Sequence, residues 1–186
     1  MYEEAALVEL ALWFGLPAWI ANATPVIFGG GRPIDGGRLF LDGRRLLGDG
    51  KTVRGFVAGV FFGTLTGAVQ ELIAPFVKAM MIEFVTLTAP MEVALSMTVP
   101  IALAMSIGAL FGDMIGSFVK RRIGIRSGGP APVLDQLGFI LMALILASPI
   151  VRIGSVFVLV LVTLTLLTHY VTNVMGYLLG YKRNPW

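Results

Sequence analysis

Several stretches of this 186-residue chain run for more than eighteen residues with few or no charged side chains. Each is long enough, at about 1.5 Å per helical residue, to cross a hydrocarbon layer of about 30 Å. In such a layer every backbone N–H and C=O must find its partner within the protein, which leaves helices and closed barrels as the spanning structures. Barrel strands alternate apolar and polar residues over about ten positions. These runs are continuously apolar, so the sequence predicts an all-α integral membrane protein. Composition agrees, with 56% of residues hydrophobic and 13% charged, outside the range of ordinary soluble domains. Cysteine is absent, which removes disulfides and thiolate metal sites.

The pattern predicts about five transmembrane helices, near residues 5–28, 55–75, 93–119, 133–150 and 153–180, in a single membrane domain over 1–186. The first run opens with Glu3 and Glu4, lacks a basic leader and exceeds the apolar length of a signal peptide, so it reads as a retained helix. Segment 76–92, with Lys78, Glu83 and Glu92 widely spaced, reads as an interfacial helix or a loop. Ser148, Pro149 and Ile150 leave so short a link that the last two spans form a tight antiparallel hairpin. Twelve of the fourteen Lys and Arg residues fall in segments 29–54 and 120–132 and in the tail with Lys182 and Arg183; Lys78 and Arg152 fall on the other side. By the positive-inside rule the N-terminus is outside, and both basic loops and the C-terminus are cytoplasmic.

The run from Gly29 to Gly55 holds nine glycines, six cations and the carboxylates Asp35, Asp42 and Asp49. Topology alone asks for cations there. It does not ask for Asp49-Gly50-Lys51-Thr52-Val53-Arg54 at a helix entrance, where glycines admit an anion to the backbone N–H groups and Lys51 and Arg54 supply counter-charge. Thr52 is placed to cap the second helix, turning its N-terminal N–H groups towards the loop. The Walker A pattern fails, because Arg45 stands where its first Gly belongs, and no dinucleotide-binding glycine pattern follows a strand.

A second constellation ends the third span. Asp113, Ser117 and Lys120 fall within about 60° of one another at helical spacing, followed by Arg121 and Arg122. A carboxylate at the membrane boundary, sharing a face with a hydroxyl and an ammonium, is a candidate functional group; the alternative is an Asp113–Lys120 pair. Next, Gly128, Gly129 and Pro130 turn the chain into the fourth span, with Asp135 about a turn inside it. Antiparallel third and fourth helices bring Asp113 and Asp135 to similar depth, and two such carboxylates beside a cationic loop suit a divalent metal and phosphoryl chemistry. The rival is an inter-helix salt bridge. Asn22 and Thr24 sit at the inner end of the first span, either lining the same cavity or partnering the helix terminus. Glu71 reads as an interfacial carboxylate at the outer end, and His169 as a hydrogen-bonding partner between helices. A transporter would place its polar groups near the midplane, commonly in repeats; here they gather at one face, and no repeat is apparent.

The stretch Ser117-Phe118-Val119-Lys120-Arg121, the glycine-rich turn after it and Asp135 at the start of the next helix resemble the CTP:phosphatidate cytidylyltransferase family, and with the Asp49–Arg54 loop and the short chain they resemble its archaeal branch. The wider family's signature carries His-Gly-Gly before Asp-Arg-x-Asp. This chain has Gly129-Pro130-Ala131-Pro132 and then Asp135-Gln136-Leu137-Gly138, so the second acidic position is missing. The resemblance implies transfer of a cytidylyl group from CTP to an isoprenoid glycerol-phosphate lipid, 2,3-bis-O-geranylgeranylglycerol 1-phosphate, with release of pyrophosphate. It implies a multi-pass cell-membrane enzyme with Mg²⁺ as cofactor and no nucleic-acid partner. Asp113 and Asp135 would hold the metal, with Lys120 also catalytic. Asp49, Gly50, Lys51, Thr52, Arg54, Ser117, Lys120, Arg121, Gly128 and Gly129 would hold the nucleotide phosphates.

Overall fold

A computed structural model describes residues 2–129 and 131–180. The basic tail at Lys182 and Arg183 lies outside the described residues. The described residues form six helices: α1 (Tyr2–Phe28), α2 (Val53–Met81), α3 (Ala89–Leu95), α4 (Val99–Arg122), α5 (Pro132–Ala147) and α6 (Ser155–Leu178). Among the described residues the β structure is limited to two isolated bridges, Pro33 to Thr52 and Leu39 to Arg45. By length and composition α1, α2, α4 and α6 can each cross a membrane. The 16-residue α5 extends about 24 Å, short of a full hydrocarbon layer.

The expected boundaries shift where proline acts. The third span, expected from residue 93, begins at Val99, because Pro100 sits in its first turn, where its missing N–H costs nothing. The residues before it form the separate helix α3, which has Pro90 at its own start. The fourth span stops at Ala147 rather than 150: Ser148 caps it in helical geometry, but Pro149 has no N–H with which to continue the hydrogen-bond ladder. The second runs on through Pro75 to Met81. Segment 76–92 is thus the end of α2, a loop and the start of α3, tied by a Lys78–Glu92 ion pair of 2.7 Å. Glu71 accepts from the Val99 N–H at 2.8 Å, satisfying a donor at the start of α4.

Helix α1 lies at the centre, touching each of the other five helices. Its Leu10, Phe14, Ala18 and Ala21 meet a core of Met105 and Ala109 from α4, Phe139 and Ala143 from α5, and Leu161 from α6. Lipid tails are as apolar as these side chains, so close backbone approach and polar contacts must hold the helices together. Helix α2 supplies the first with Gly55, Gly59, Gly63 and Gly67, all buried. A Cβ at Gly59 would stand 2.7 Å from the Ala21 carbonyl, and one at Gly67 would run into Ala102. Polar ties include Trp19 Nε1 donating to Thr165 Oγ1 at 3.1 Å and Gln70 Nε2 donating to the Trp13 carbonyl at 2.6 Å.

Helices α4 and α5 are antiparallel and cross through glycine: a Cβ on Gly108 would meet the Met142 carbonyl at 2.5 Å, and one on Gly112 would strike that of Gly138. Continued to Gly116 opposite Leu134, this register sets Asp135 opposite residue 115. Asp113 and Asp135 are therefore only about 3 Å apart in axial height. Helix α6 runs parallel to α1, with Leu161 beside Gly15 and Thr165 beside Trp19. Its C-terminal end accordingly lies with the end of α1, the start of α2 and the end of α4, where the polar residues gather.

Candidate active site

The segment between α1 and α2 is a compact hairpin built around one carboxylate. Its base pairs through Ile34 N–H to the Lys51 carbonyl at 2.8 Å and Val53 N–H to that of Arg32 at 3.1 Å; its tip pairs through Phe40 N–H to Arg44 at 2.7 Å. Asp35 lies between them, buried at 7% exposure. It accepts from Arg45 Nη2 at 2.9 Å and from the N–H groups of Gly37, Leu47 and Gly48, each at 3.0 Å. Burial pushes its pKa up, but the Arg45 guanidinium and the three N–H groups outweigh that, holding it well below the usual carboxylate range. Gly48, at φ +106°, turns the chain after this cluster towards Lys51.

Two reciprocal arginine contacts seat the hairpin on α4. Arg44 Nη1 donates to the Arg122 carbonyl at 2.6 Å and to that of Arg121 at 3.2 Å, satisfying carbonyls at the helix C-terminus. Arg122 returns the contact with Nη1 to Asp42 at 2.6 Å and Nη2 to the Arg45 carbonyl at 2.5 Å. Thr52 Oγ1 accepts from Gly55 N–H at 3.1 Å, the cap that the sequence predicts, and Lys51 is thereby held at the mouth of α2.

The two candidate carboxylates each carry a lysine. Lys51 Nζ forms an ion pair with Asp113 Oδ2, joining the loop to α4. Lys120 Nζ pairs with Asp135 Oδ1 at 2.6 Å, joining α4 to α5, and Asp135 Oδ2 also accepts from Ala131 N–H at 3.0 Å. Among the described residues the rival inter-helix salt bridge is formed, but with other partners than expected: Lys120 of α4 takes Asp135 of α5, rather than Asp113 taking Lys120 and a loop arginine taking Asp135. Ser117 is buried between Asp113 and Lys120 on the α4 sequence. A gap of about 20 Å³, room for a water molecule, lies beside Lys51 and Asp113 and is bordered by Pro25, Gly50, Thr52 and Phe56.

A second, larger open cavity of about 370 Å³ is lined by Arg44, Arg45, Gly48, Asp49, Arg121 and Arg126 among others, so that consecutive residues Asp49 and Gly50 border one cavity each. Arg121 is 6% exposed, donates Nη2 to the Arg126 carbonyl at 2.9 Å, and keeps a buried Nε with no partner. Such a guanidinium retains donor capacity for an anion. Asp49 is held by Arg45 at 2.9 Å with its side chain largely in solvent. Gly128 and Gly129 form the turn closed by Gly129 N–H to the Arg126 carbonyl at 2.8 Å. Arg54 is exposed on the first turn of α2. Asn22 and Thr24 border neither cavity; the Thr24 hydroxyl donates to the Ile20 carbonyl at 2.7 Å, a bond within its own helix, and Pro25 takes the lining position. His169 lies against the Phe139 ring, 5.5 Å between centroids.

The sequence reading missed Asp35, Arg44, Arg45 and Arg122 as organisers of this site. For Asp35 a signal was present, since Pro33-Ile34-Asp35-Gly36-Gly37 is the composition of a side-chain-capped turn.

A helical bundle that gathers two lysine–carboxylate pairs and an arginine-lined cavity at one end falls in the class of integral membrane enzymes acting on anionic substrates. Known proteins narrow the class. The profile of the CarS-like family, CDP-archaeol synthase, matches residues 5–186. The CDP-archaeol synthase of Thermococcus gammatolerans is 47% identical over 176 residues, covering 95% of each chain. That of Pyrococcus furiosus is 43% identical over 95% of this chain and 96% of its own, and that of Methanococcoides burtonii 44% identical over 92% and 99%. A solved structure described as an intramembrane enzyme for archaeal membrane lipid biosynthesis superimposes with a TM-score of 0.72 at 41% identity, over 88% of this chain and 92% of that one. The chain belongs to the CDP-archaeol synthase family.

Proposed function

We propose that this protein transfers the cytidylyl group of CTP to the phosphate of 2,3-bis-O-geranylgeranylglycerol 1-phosphate, forming a CDP-activated archaeal lipid and pyrophosphate at the cytoplasmic end of a five-span bundle. Identity of 43% to 47% to CDP-archaeol synthases over 95% of this chain supports the activity. The observation that carries the assignment of the site is the set of two lysine–carboxylate pairs, Lys51 with Asp113 and Lys120 with Asp135, beside the arginine-lined cavity. The clustering of cations at that end supports its cytoplasmic orientation.

The reaction needs positioning and charge neutralisation more than proton transfer. A phosphate monoester is largely dianionic at neutral pH, with a second pKa near about 6, so its oxygen attacks without a general base. That oxygen forms a bond to the α-phosphorus of CTP as the bond to the bridging oxygen of pyrophosphate breaks in line. Lys51 and Lys120, already at the two carboxylates, can transfer their hydrogen bonds to phosphoryl oxygens. Arg121, with Arg44 and Arg126 at the larger cavity, faces the charge that accumulates on the leaving pyrophosphate. A lipid phosphate at headgroup level meets these groups while its chains remain in the bilayer.

Asp113 and Asp135 fit Mg²⁺, which takes one or two carboxylates together with substrate phosphates and water rather than an all-protein cage. Among the described residues no group of three or more His, Cys, Asp or Glu side chains forms such a cage. Mg²⁺, when bound by these carboxylates, supplies further neutralisation of phosphoryl charge. Isotopic labelling tests the proposal. Incubated with CTP, Mg²⁺ and the lipid phosphate, the protein should move α-³²P into the lipid phase and γ-³²P into pyrophosphate; retention of both labels in water-soluble nucleotide would contradict it.

A further inference from the structure

The tip of the α1–α2 hairpin carries Leu39, Phe40 and Leu41, between Arg38 and Asp42. Leu41 is 96% exposed and Leu39 61%. Exposure of this degree on a polar loop at the end of a membrane bundle calls for a covering phase. Its geometry states which one. The tip closes through Gly43 N–H to the Phe40 carbonyl at 2.9 Å, with Asp42 Oδ1 accepting from Arg44 N–H at 3.1 Å. Leu39 pairs with Arg45 in an isolated bridge before the turn, and Leu41 lies in the turn itself. Phe40 faces α4, set edge-on to Phe118 with ring centroids 5.3 Å apart, and the Arg122 guanidinium lies 4.8 Å and 4.9 Å from the centroids of Phe40 and Phe118. Leu39 and Leu41, on either side of it, are left uncovered by α4.

The face of α4 that Phe40 covers is its outward one. Phe111 and Ile115 are 45% and 47% exposed, and Phe118 and Arg122 continue the same stripe at spacings of three and four. Depth follows from counting. From Val99, where the span starts, nineteen rises bring Phe118 about 28 Å along the helix, close to the full thickness of a hydrocarbon layer of about 30 Å. A loop resting on Phe118 and leaving two leucines uncovered reaches the boundary between headgroups and chains. Arg38 and Arg44 flank the tip, and Arg122 lies behind it, the cationic rim that an anionic headgroup layer complements.

We infer that Leu39 and Leu41 insert into the inner leaflet as a lipid-binding wedge, anchoring the hairpin, and with it Lys51, at headgroup depth. The occupant is the bilayer itself, not a protein partner, and the inference stands apart from the reaction proposed above. The chain is free of cysteine, so single cysteines can carry a nitroxide. Leu41→Cys and Leu39→Cys, with Asp49→Cys as an aqueous reference because its side chain is 77% exposed, would be labelled in the full-length protein in lipid nanodiscs. Power-saturation EPR then compares collisions with oxygen, which partitions into lipid, and with a water-soluble nickel chelate. The expected result is oxygen exceeding the chelate at 39 and 41 and the reverse at 49, with the difference lost in detergent-free amphipol. Chelate accessibility at 41 equal to that at 49 would overturn the inference. So would protection of 41 from both relaxants, which would mean that protein covers the tip.

Discussion

Replacing Asp35 by Asn removes a charge that Arg45 and three backbone N–H groups all face. Its folded pKa lies below the ordinary 3.8, so the stability it contributes is fully present above that value and is lost as pH falls through the lowered folded one. Asp35→Asn should therefore cost about 1.5–3 kcal/mol near neutral pH, the range for hydrogen bonds to a charged group. The deficit should narrow only in strong acid, below the usual carboxylate range. Thermal unfolding of the two proteins from pH 7 downwards measures it; a constant deficit across that range would refute the assigned charge role. For Lys51 and Lys120 the proposed role is in the reaction instead. Lys51→Ala or Lys120→Ala should weaken CTP use by about tenfold or more, since each charge-assisted bond contributes roughly 1.5–3 kcal/mol. Initial rates across a CTP titration would show this, and unchanged CTP dependence in both variants would move the phosphate site elsewhere.

At the level of elements, glycine decides how closely the helices approach. A Cβ at Gly63 would stand 2.7 Å from the Pro17 carbonyl and 2.8 Å from Ala21 Cβ, where backbone and a buried methyl leave little room to yield. Gly63→Ala should cost about 1–3 kcal/mol by overpacking, whereas Ala at exposed Val57 on the same helix should change stability far less. Melting temperatures in one detergent would compare them, and equal effects would argue against tight α1–α2–α4 contact. Apolar run length was enough to find the four long helices and the shorter α5, because sustained hydrophobicity is a strong local signal. It did not separate α3 from α4, because Ser96 and Thr98 interrupt an otherwise apolar stretch too briefly to lower its hydropathy. The site divides similarly. Asp113, Lys120 and Asp135 were legible because helical periodicity and chain order bring them to one end. The partner of Asp113 was not, since Lys51 lies 62 residues away and is delivered by a hairpin whose register depends on Asp35. The arginines looked like topological charge until α4 supplied the carbonyls and rings they bind.

Across the described residues, the hairpin, the 123–129 turn and the C-terminal end of α6 share one end, and the start of α1 lies at the other. With twelve cations assigned to the first end, single cysteines at exposed Ser127 and at Phe84 should label from opposite sides, Ser127 from the cytoplasm. Gly43 and Gly128 are less suitable positions because their φ angles of +74° and +80° strain any side chain. Labelling of position 127 by an impermeant reagent in intact cells would reverse the orientation. The most direct test of the site is cytidylyl transfer by Asp113→Asn and Asp135→Asn across a Mg²⁺ titration, with the melting temperature of each variant measured alongside. Asn keeps the shape and one oxygen but loses the charge that holds a hard cation. Both variants should lose turnover at every Mg²⁺ concentration while remaining folded; near-normal rates with an unchanged Mg²⁺ requirement in either would show that its carboxylate does not serve the reaction.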